Sequence, residues 1–467
     1  MRQIDSNRIG RAGPHRIAVV GAMIGLLASC APGDIVGSAP LPSGLTDPAV
    51  TRTPAGAMAA YHGVLKLFNG ALGGGDGNAP SDYVGTSGLL SDEFQNGDVL
   101  GAPNFGLVFG LDARVLPEQA TLSNNDYEAP YSGLHAVRGE AQEVIGLLRD
   151  YAPDRSPALR GHVYALAGYS EVLLAEFFCS GIPLSTVDYG GDYTLKPGSS
   201  TSEVLQHALT LFDSALVLAP DSARIMSLVR VGRGRALLDL GQFSAARQAV
   251  AEVPDGYRYD VSYSAVGVGA VGGSTSNFAL IAPTDQWHLT VSDGEGGNGL
   301  DYRSSGDPRT RATAIGPSQY GVMLYHPDKY STAGDSPIVL ADWVEARLIE
   351  AEAALQAGDV ATWLATLNRL RKTAITPALP DTTDPGTQDA RVDLLFRERA
   401  FWLFLTGHRQ GDMRRLVRQY GRRVENVYPS GRYQTGSAFY GNDVTAPIPA
   451  SERLGNPLFT GCLSRGA

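Results

Sequence analysis

Residues 397–416 read Arg-Glu-Arg-Ala-Phe-Trp-Leu-Phe-Leu-Thr-Gly-His-Arg-Gln-Gly-Asp-Met-Arg-Arg-Leu. Between Leu394 and Leu405 the apolar positions are Leu394, Leu395, Ala400, Phe401, Trp402, Leu403, Phe404 and Leu405. That is more apolar surface than an amphipathic stripe carries, so the segment reads as a core helix. Gly407 supplies a stop, and helical spacing resumes from Asp412 to Leu416. Arg409 and Asp412, three apart, are placed to pair across one turn. The reading is a helical hairpin whose charges are salt-bridged inside the fold and serve no ligand.

Working outward, the helical period recurs from Asp47-Pro48 to Leu72 (Met58, Tyr61, Leu65, Phe68), and over 133–151, 158–178, 201–218, 223–240 and 337–356. Gly181, Gly241, Gly358 and Gly407 each close a long helix ahead of a turn or another helix. Ala236, Leu238, Gly241, Phe243 and Ala246 look like a tetratricopeptide hairpin, and Leu355 to Val360 repeats the arrangement. The expected fold is mainly α, a tetratricopeptide-like helical-hairpin scaffold. Two stretches depart from it. Residues 76–131 are loop-rich, with Tyr83, Phe94, Phe105 and Tyr127 expected to anchor satellite cores. Residues 254–337 lose the helical period, and Tyr257, Tyr259, Val261 and Tyr263 alternate as in a strand or extended edge, making a large irregular insert.

The ends place the chain in a compartment. Arg2, Arg8, Arg11 and Arg16 precede an apolar run, Ile17 to Leu27, that ends in Leu27-Ala28-Ser29-Cys30. This is a lipoprotein signal pattern: residues 1–29 are removed, and Cys30 becomes a lipidated N-terminus that holds the protein to a membrane. The alternative is a plain secretory signal with an incidental cysteine. Residues 30–46, rich in Pro, Gly, Ser and Ala, read as a flexible tether, and 47–467 as a single domain. Without residues 1–29, which hold four arginines and one aspartate, 34 cationic and 47 acidic side chains leave a net charge of −13. Nucleic acid and sulfated glycans are therefore disfavoured, and neutral or cationic ligands fit better. Cys179 and Cys462 remain as an even pair in an oxidising compartment, which suggests a bridge. Two buried free thiols are the alternative, because sequence alone cannot set their Cα separation.

Several motifs in one order carry a family resemblance. Glu398, Gly407, Arg409, Asp412 and Arg415 match the Glu…Glu-Gly-x-Arg-x-x-Asp-Leu-x-Arg pattern of the SusD/RagB family, with Thr406 and Met413 as departures. Ser91-Asp92-Glu93, Gly181-Ile182-Pro183-Leu184, Asp307-Pro308-Arg309, Glu345 with Glu350-Ala351-Glu352-Ala353, Asn368 with Arg371, and Pro447-Ile448-Pro449 through Glu452 to Asn456-Pro457 are similar to further motifs of that family. The resemblance implies a SusD-like fold and an outer-membrane, cell-surface lipoprotein. Such a protein binds a nutrient, an oligo- or polysaccharide, and delivers it to a TonB-dependent (SusC-like) transporter, with no enzymatic activity and no cofactor.

Tested for chemistry, the chain offers little. Gly267-x-Gly269-x-x-Gly272 fits a dinucleotide expression, but Gly273-Ser274-Thr275-Ser276-Asn277 does not open the helix that would hold a pyrophosphate. Asp293-Gly294-Glu295-Gly296-Gly297-Asn298 fails calcium-loop spacing and reads as a polar turn. No catalytic or metal motif occurs, and no carboxylate pair stands out. Trp343, Trp363 and Trp402 sit among apolar neighbours at helical positions and are assigned to the core. Trp287 lies in the insert between Gln286 and His288, where an indole suits stacking on a sugar ring, with Tyr259, Tyr263 and Tyr302 as its expected neighbours. Two other functions compete: a tetratricopeptide-like envelope scaffold that binds a peptide, and a surface hydrolase, which needs a catalytic pair.

Overall fold

Thr53 caps the first long helix by accepting a hydrogen bond from the Gly56 N–H, and Pro54 takes the first helical position, so α1 runs Pro54–Gly73. The uninterrupted start expected at Asp47 is replaced by a separate turn, Pro48–Thr51. The computed structural model describes residues 48–74, 82–97, 105–117, 127–187, 193–264, 289–318, 321–434 and 438–467. Residues Thr51–Ala467 make up one compact unit.

The described chain is mainly α. After α2 (Tyr83–Leu90) and α3 (Phe105–Asp112), both inside the stretch read as loop, come α4 (Glu128–Tyr151), α5 (Ala158–Phe177), α6 (Thr201–Leu218), α7 (Ala223–Asp239) and α8 (Phe243–Val250). The second half adds α9 (Trp343–Gln356), α10 (Val360–Thr373), α11 (Gln388–Trp402) and α12 (Arg409–Arg418). Neighbours in sequence are neighbours in space: α4 packs on α1 and α5, α5 on α6, α6 on α7, α7 on α8, and α9 on α8, α10 and α11. This is the serial packing that helical hairpins with small-residue contacts produce. Gly232 on α7 shows how close the approach is, since a Cβ there would lie 2.7 Å from both Phe212 and Tyr169. Gly241 and Gly358, each just past the cap of its helix, have positive φ, the left-handed conformation that ends a helix without a Cβ clash, whereas Gly181 and Gly407, also at positive φ, lie beyond helices that already end at Phe177 and Trp402.

Two large apolar clusters fill the unit. One joins α1, α4–α8 and the strands; the other gathers Leu348, Trp363, Leu370, Phe396 and Met413 from α9–α12. Trp363 is fully buried, whereas Trp343 and Trp402 are half-buried at the edge of the second cluster. Tyr83, Phe94 and Tyr127 are buried as satellite-core residues.

The strands are short and antiparallel. β1 (Phe94–Asn96) pairs with β7 (Leu289–Val291), β6 (Arg258–Val261) with β10 (Ile338–Asp342), and β8 (Ala312–Pro317) with β9 (Met323–Pro327). Two-residue pairs join β2 (Ile182–Pro183) to β5 (Gly198–Ser199) and β3 (Thr186–Val187) to β4 (Tyr193–Thr194). The helix expected from Pro337 therefore begins with a strand. Asp342 ends β10 and caps α9 through its side chain, which accepts from the Glu345 N–H. Just past α5, Cys179 is bonded to Cys462 with a Cα–Cα distance of 5.8 Å. Ser180 and the tail exchange backbone hydrogen bonds beside it, Ser180 N–H to Ser464 O and Leu463 N–H to Ser180 O.

Candidate functional site

The charges of the opening hairpin meet partners drawn from the whole chain. Arg409 forks onto Asp92 at 2.6 and 2.8 Å, and Glu93 beside it accepts from the Leu405 N–H at 2.7 Å. Asp412 accepts from Arg399 at 2.8 and 2.9 Å and from Arg415 at 2.8 Å. Arg415 continues to Glu352 and Asp239. Glu398 holds Arg309, Arg371 and the Trp402 indole N–H. The Arg409–Asp412 pair expected from spacing does not form, because Arg409 is engaged by Asp92 and Asp412 by Arg399 and Arg415. Burial pushes Glu93 up to about 8, whereas Arg399 and Arg415 hold Asp412 well below the usual carboxylate range in spite of its burial. With Asp92, Arg399, Asp412 and Arg415 all buried, this network fixes the fold and leaves no surface for a ligand.

The part of the molecule able to receive one lies where strands end. Asn96 stands opposite Leu289 in the β1–β7 register, so the chain leaves β1 and enters β7 at one place. Tyr325 on β9 donates its N–H to Thr290 Oγ1, and Gln434 donates through Nε2 to the Asn96 carbonyl at 2.6 Å. Beneath these ends lies a buried pair of carboxyls. Asp112 accepts from the Asn96 N–H at 3.0 Å and from the Tyr433 hydroxyl, and Glu295 accepts from Ser292 and the Tyr440 hydroxyl, both at 3.0 Å. Burial raises Asp112 to about 6, and burial with the Asp112 charge raises Glu295 further. Phe109, Tyr433 and Tyr440 stack edge to face above the pair. A cavity of about 90 Å³ elsewhere, between the end of α4 and the start of α5, is well below the roughly 300 Å³ of an ordinary small-molecule pocket.

This arrangement has a long-range likeness. Residues 269–456, which contain the Asp307–Arg309, Glu352, Glu398 and Asp412–Arg415 members of the network, match the SusD family. Over that stretch the chain matches the SusD/RagB family. Among solved structures it is similar to a SusD superfamily protein from Bacteroides thetaiotaomicron, at 15% identity and a TM-score of 0.66 over 88% of this chain and 100% of that one. A laminarin binding SusD-like protein matches at 17% identity and a TM-score of 0.63, over 88% of this chain and 99% of that one. A SusD-like carbohydrate binding protein from Bacteroides vulgatus matches at 15% identity and a TM-score of 0.62, over 87% and 97%. At such identities the likeness is one of fold. No curated protein matches the chain.

Cys30, the glycine run at 267–272 and Trp287 lie outside the described residues. The three tyrosines expected beside Trp287 are core residues. Tyr302 is 0% exposed, stacked on Phe401, with its hydroxyl donating to Asp92. Tyr259 has its hydroxyl 2.6 Å from His162 Nε2, and Tyr263 donates to the Asn69 carbonyl. The alternation of Tyr259, Val261 and Tyr263 is a strand pattern, but its tyrosines turn toward the core with Val261, so no ring face is open to a sugar. Asp293 and Asn298 do form a polar turn: Asp293 accepts from the Arg303 and Ser304 N–H groups, and Asn298 donates to the Tyr428 carbonyl. The Asp112–Glu295 pair escaped notice in the sequence because its members are distant and no spacing marks them. Being buried, it is out of reach of a glycosidic oxygen, which removes it as a hydrolase pair.

The pair makes a pH prediction. Both folded pKa values are raised, so its stabilising effect is full below the unfolded carboxylate values of about 4 and is lost as pH rises from there through the folded values, about 6 for Asp112 and higher for Glu295. Glu295→Gln keeps a neutral partner and is expected to flatten part of the fall in urea midpoint between pH 5 and pH 8. A variant whose fall parallels that of the parent protein would refute the raised titration of the pair.

Proposed function

We propose that this chain is a lipid-anchored protein of the bacterial cell surface that binds a glycan and passes it to a TonB-dependent transporter. The family match over residues 269–456 supports the class, and the names of two fold relatives, one laminarin binding and one carbohydrate binding, support the ligand. The observation that carries the reading for this chain is the Asn96–Leu289 register. It joins the last residue of β1 to the first of β7 on a rigid scaffold, and in this reading the loops that leave those two residues carry the binding side chains, as loops on a rigid scaffold commonly do. Trp287, two positions before Leu289, is the aromatic we assign to that ligand. Among the described residues no helix is long and apolar enough to cross a membrane, and the anchor in this reading is the acylated Cys30.

The test is binding of the protein lacking residues 1–29 to a panel of neutral polysaccharides that includes laminarin. Trp287→Ala should weaken the observed binding by roughly 1 to 3 kcal/mol with little change in melting temperature. Unchanged affinity moves the site away from Trp287, and no binding to any glycan removes the ligand class. Independently, Cys30→Ala should abolish labelling by a fatty-acid probe and release the chain from the membrane fraction. Labelling that persists would rule out the anchor.

A further inference from the structure

Between Gly431 and Tyr440 the chain doubles back on itself: the Tyr433 N–H donates to the Ala438 carbonyl, the Tyr440 N–H to the Gly431 carbonyl, and Arg432 and Phe439 form an antiparallel bridge. Successive residues of such a hairpin face opposite ways. Tyr433, Ala438 and Tyr440 point inward and form a small apolar cluster with Phe109 and Ala113. Arg432 and Phe439, directly opposed, point outward: Phe439 is 60% exposed, and the Arg432 guanidinium sits 5.8 Å from its ring centroid. Among the described residues no carboxylate pairs with Arg432. An exposed phenyl by itself is ordinary. This one is held on a tightly tied support. The inner tyrosines bond to Asp112 and Glu295, Gln434 bonds to Asn96, and the Gly441 N–H donates to the Ala113 carbonyl. Little side-chain or backbone freedom remains to be lost when a ligand lands on it.

We propose that Phe439 and Arg432 form a contact subsite for a neutral sugar ring, at the face where β1 and β7 end. The assignment rests on the glycan-binding reading above and adds residues that neither the sequence patterns nor the family resemblance points to. A phenyl face takes the C–H face of a pyranose, and the five guanidinium donors of Arg432 reach its hydroxyls in a fork. A neutral sugar is favoured over a polyanion because the chain carries a net charge of −10 and one guanidinium is a poor match for repeated carboxylates or sulfates.

The experiment titrates the protein lacking residues 1–29, with its Phe439→Ala, Phe439→Trp and Arg432→Gln variants, against laminarin, starch, xyloglucan and mannan, with oligogalacturonate as the anionic comparator. For whichever neutral glycan binds, Phe439→Ala should weaken affinity about tenfold or more, as aromatic contact residues do, while the melting temperature stays unchanged. Phe439→Trp should restore binding and shift its indole emission on saturation. Arg432→Gln should give a smaller loss that is insensitive to salt. If a neutral glycan binds and Phe439→Ala matches the parent protein, the subsite is wrong and the glycan reading stands. Binding confined to oligogalacturonate overturns the neutral class, and binding to none of the five overturns both proposals.

Discussion

Asp412→Ala is expected to destabilise the folded chain by about 3 to 5 kcal/mol, a large part of the stability of an ordinary protein. Asp412 is the shared counter-ion of Arg399 and Arg415, all three are buried, and removing it leaves two guanidinium groups facing each other out of water. Glu352 would still hold Arg415 at 3.0 Å but reaches Arg399 only at 3.6 Å, so its compensation is partial. The pH dependence carries a sign. Because the folded pKa of Asp412 is depressed, the stabilisation is present above the unfolded carboxylate value of about 4 and is lost as pH falls below it. The variant's deficit should therefore shrink on acidification from pH 7 toward pH 3. Urea unfolding across that range measures it. A deficit at pH 7 below about 1 kcal/mol would mean that the arginines find other partners. Asp389→Ala serves as the control: its carboxylate, 83% exposed beside Arg422, should give no measurable change.

Cys462→Ser is expected to cost a comparable amount. The bridge to Cys179 closes a loop with a sequence separation of 283 residues, for which a chain-entropy estimate gives about 3 to 5 kcal/mol, less any strain. Part of the effect should be local, since the tail from Gly461 to Ser464 lies against Gly181 and exchanges backbone hydrogen bonds with Ser180. Reduction of the parent protein should lower the denaturation midpoint as much as the substitution does. Hydrogen exchange should rise first over residues 456–467. Two free thiols found by mass spectrometry under non-reducing denaturation would end this account.

Much of the scaffold was legible because its causes are local. The apolar spacing of α5, α6 and α7 set their limits to within a residue, and Gly241 and Gly358 marked helix ends because only glycine enters the left-handed region without strain. Where two local signals competed, the boundary moved: Pro54 behind a capping Thr53 displaced a start at Pro48, and Asp342 ended a strand before it capped a helix. The family motifs were legible as separate patches of charge in separate parts of the chain. Nothing in their spacing said that Asp92 would hold Arg409, or that Arg309 and Arg371 would share Glu398.

The sequence by itself determined the helical scaffold, its turns, the lipoprotein-like leader as an expectation, and the family resemblance, since each of these is written in short-range periodicity, in single residues with special backbone freedom, or in ordered motifs. Only the tertiary structure decided which charges neutralise each other, that Tyr259, Tyr263 and Tyr302 are core residues, and that Asp112 and Glu295 share a buried site under Tyr433 and Tyr440. The reason is one of range. A strand's alternation says which residues share a face but not whether that face meets helices or water, and a carboxylate's partner is chosen by packing between segments hundreds of residues apart.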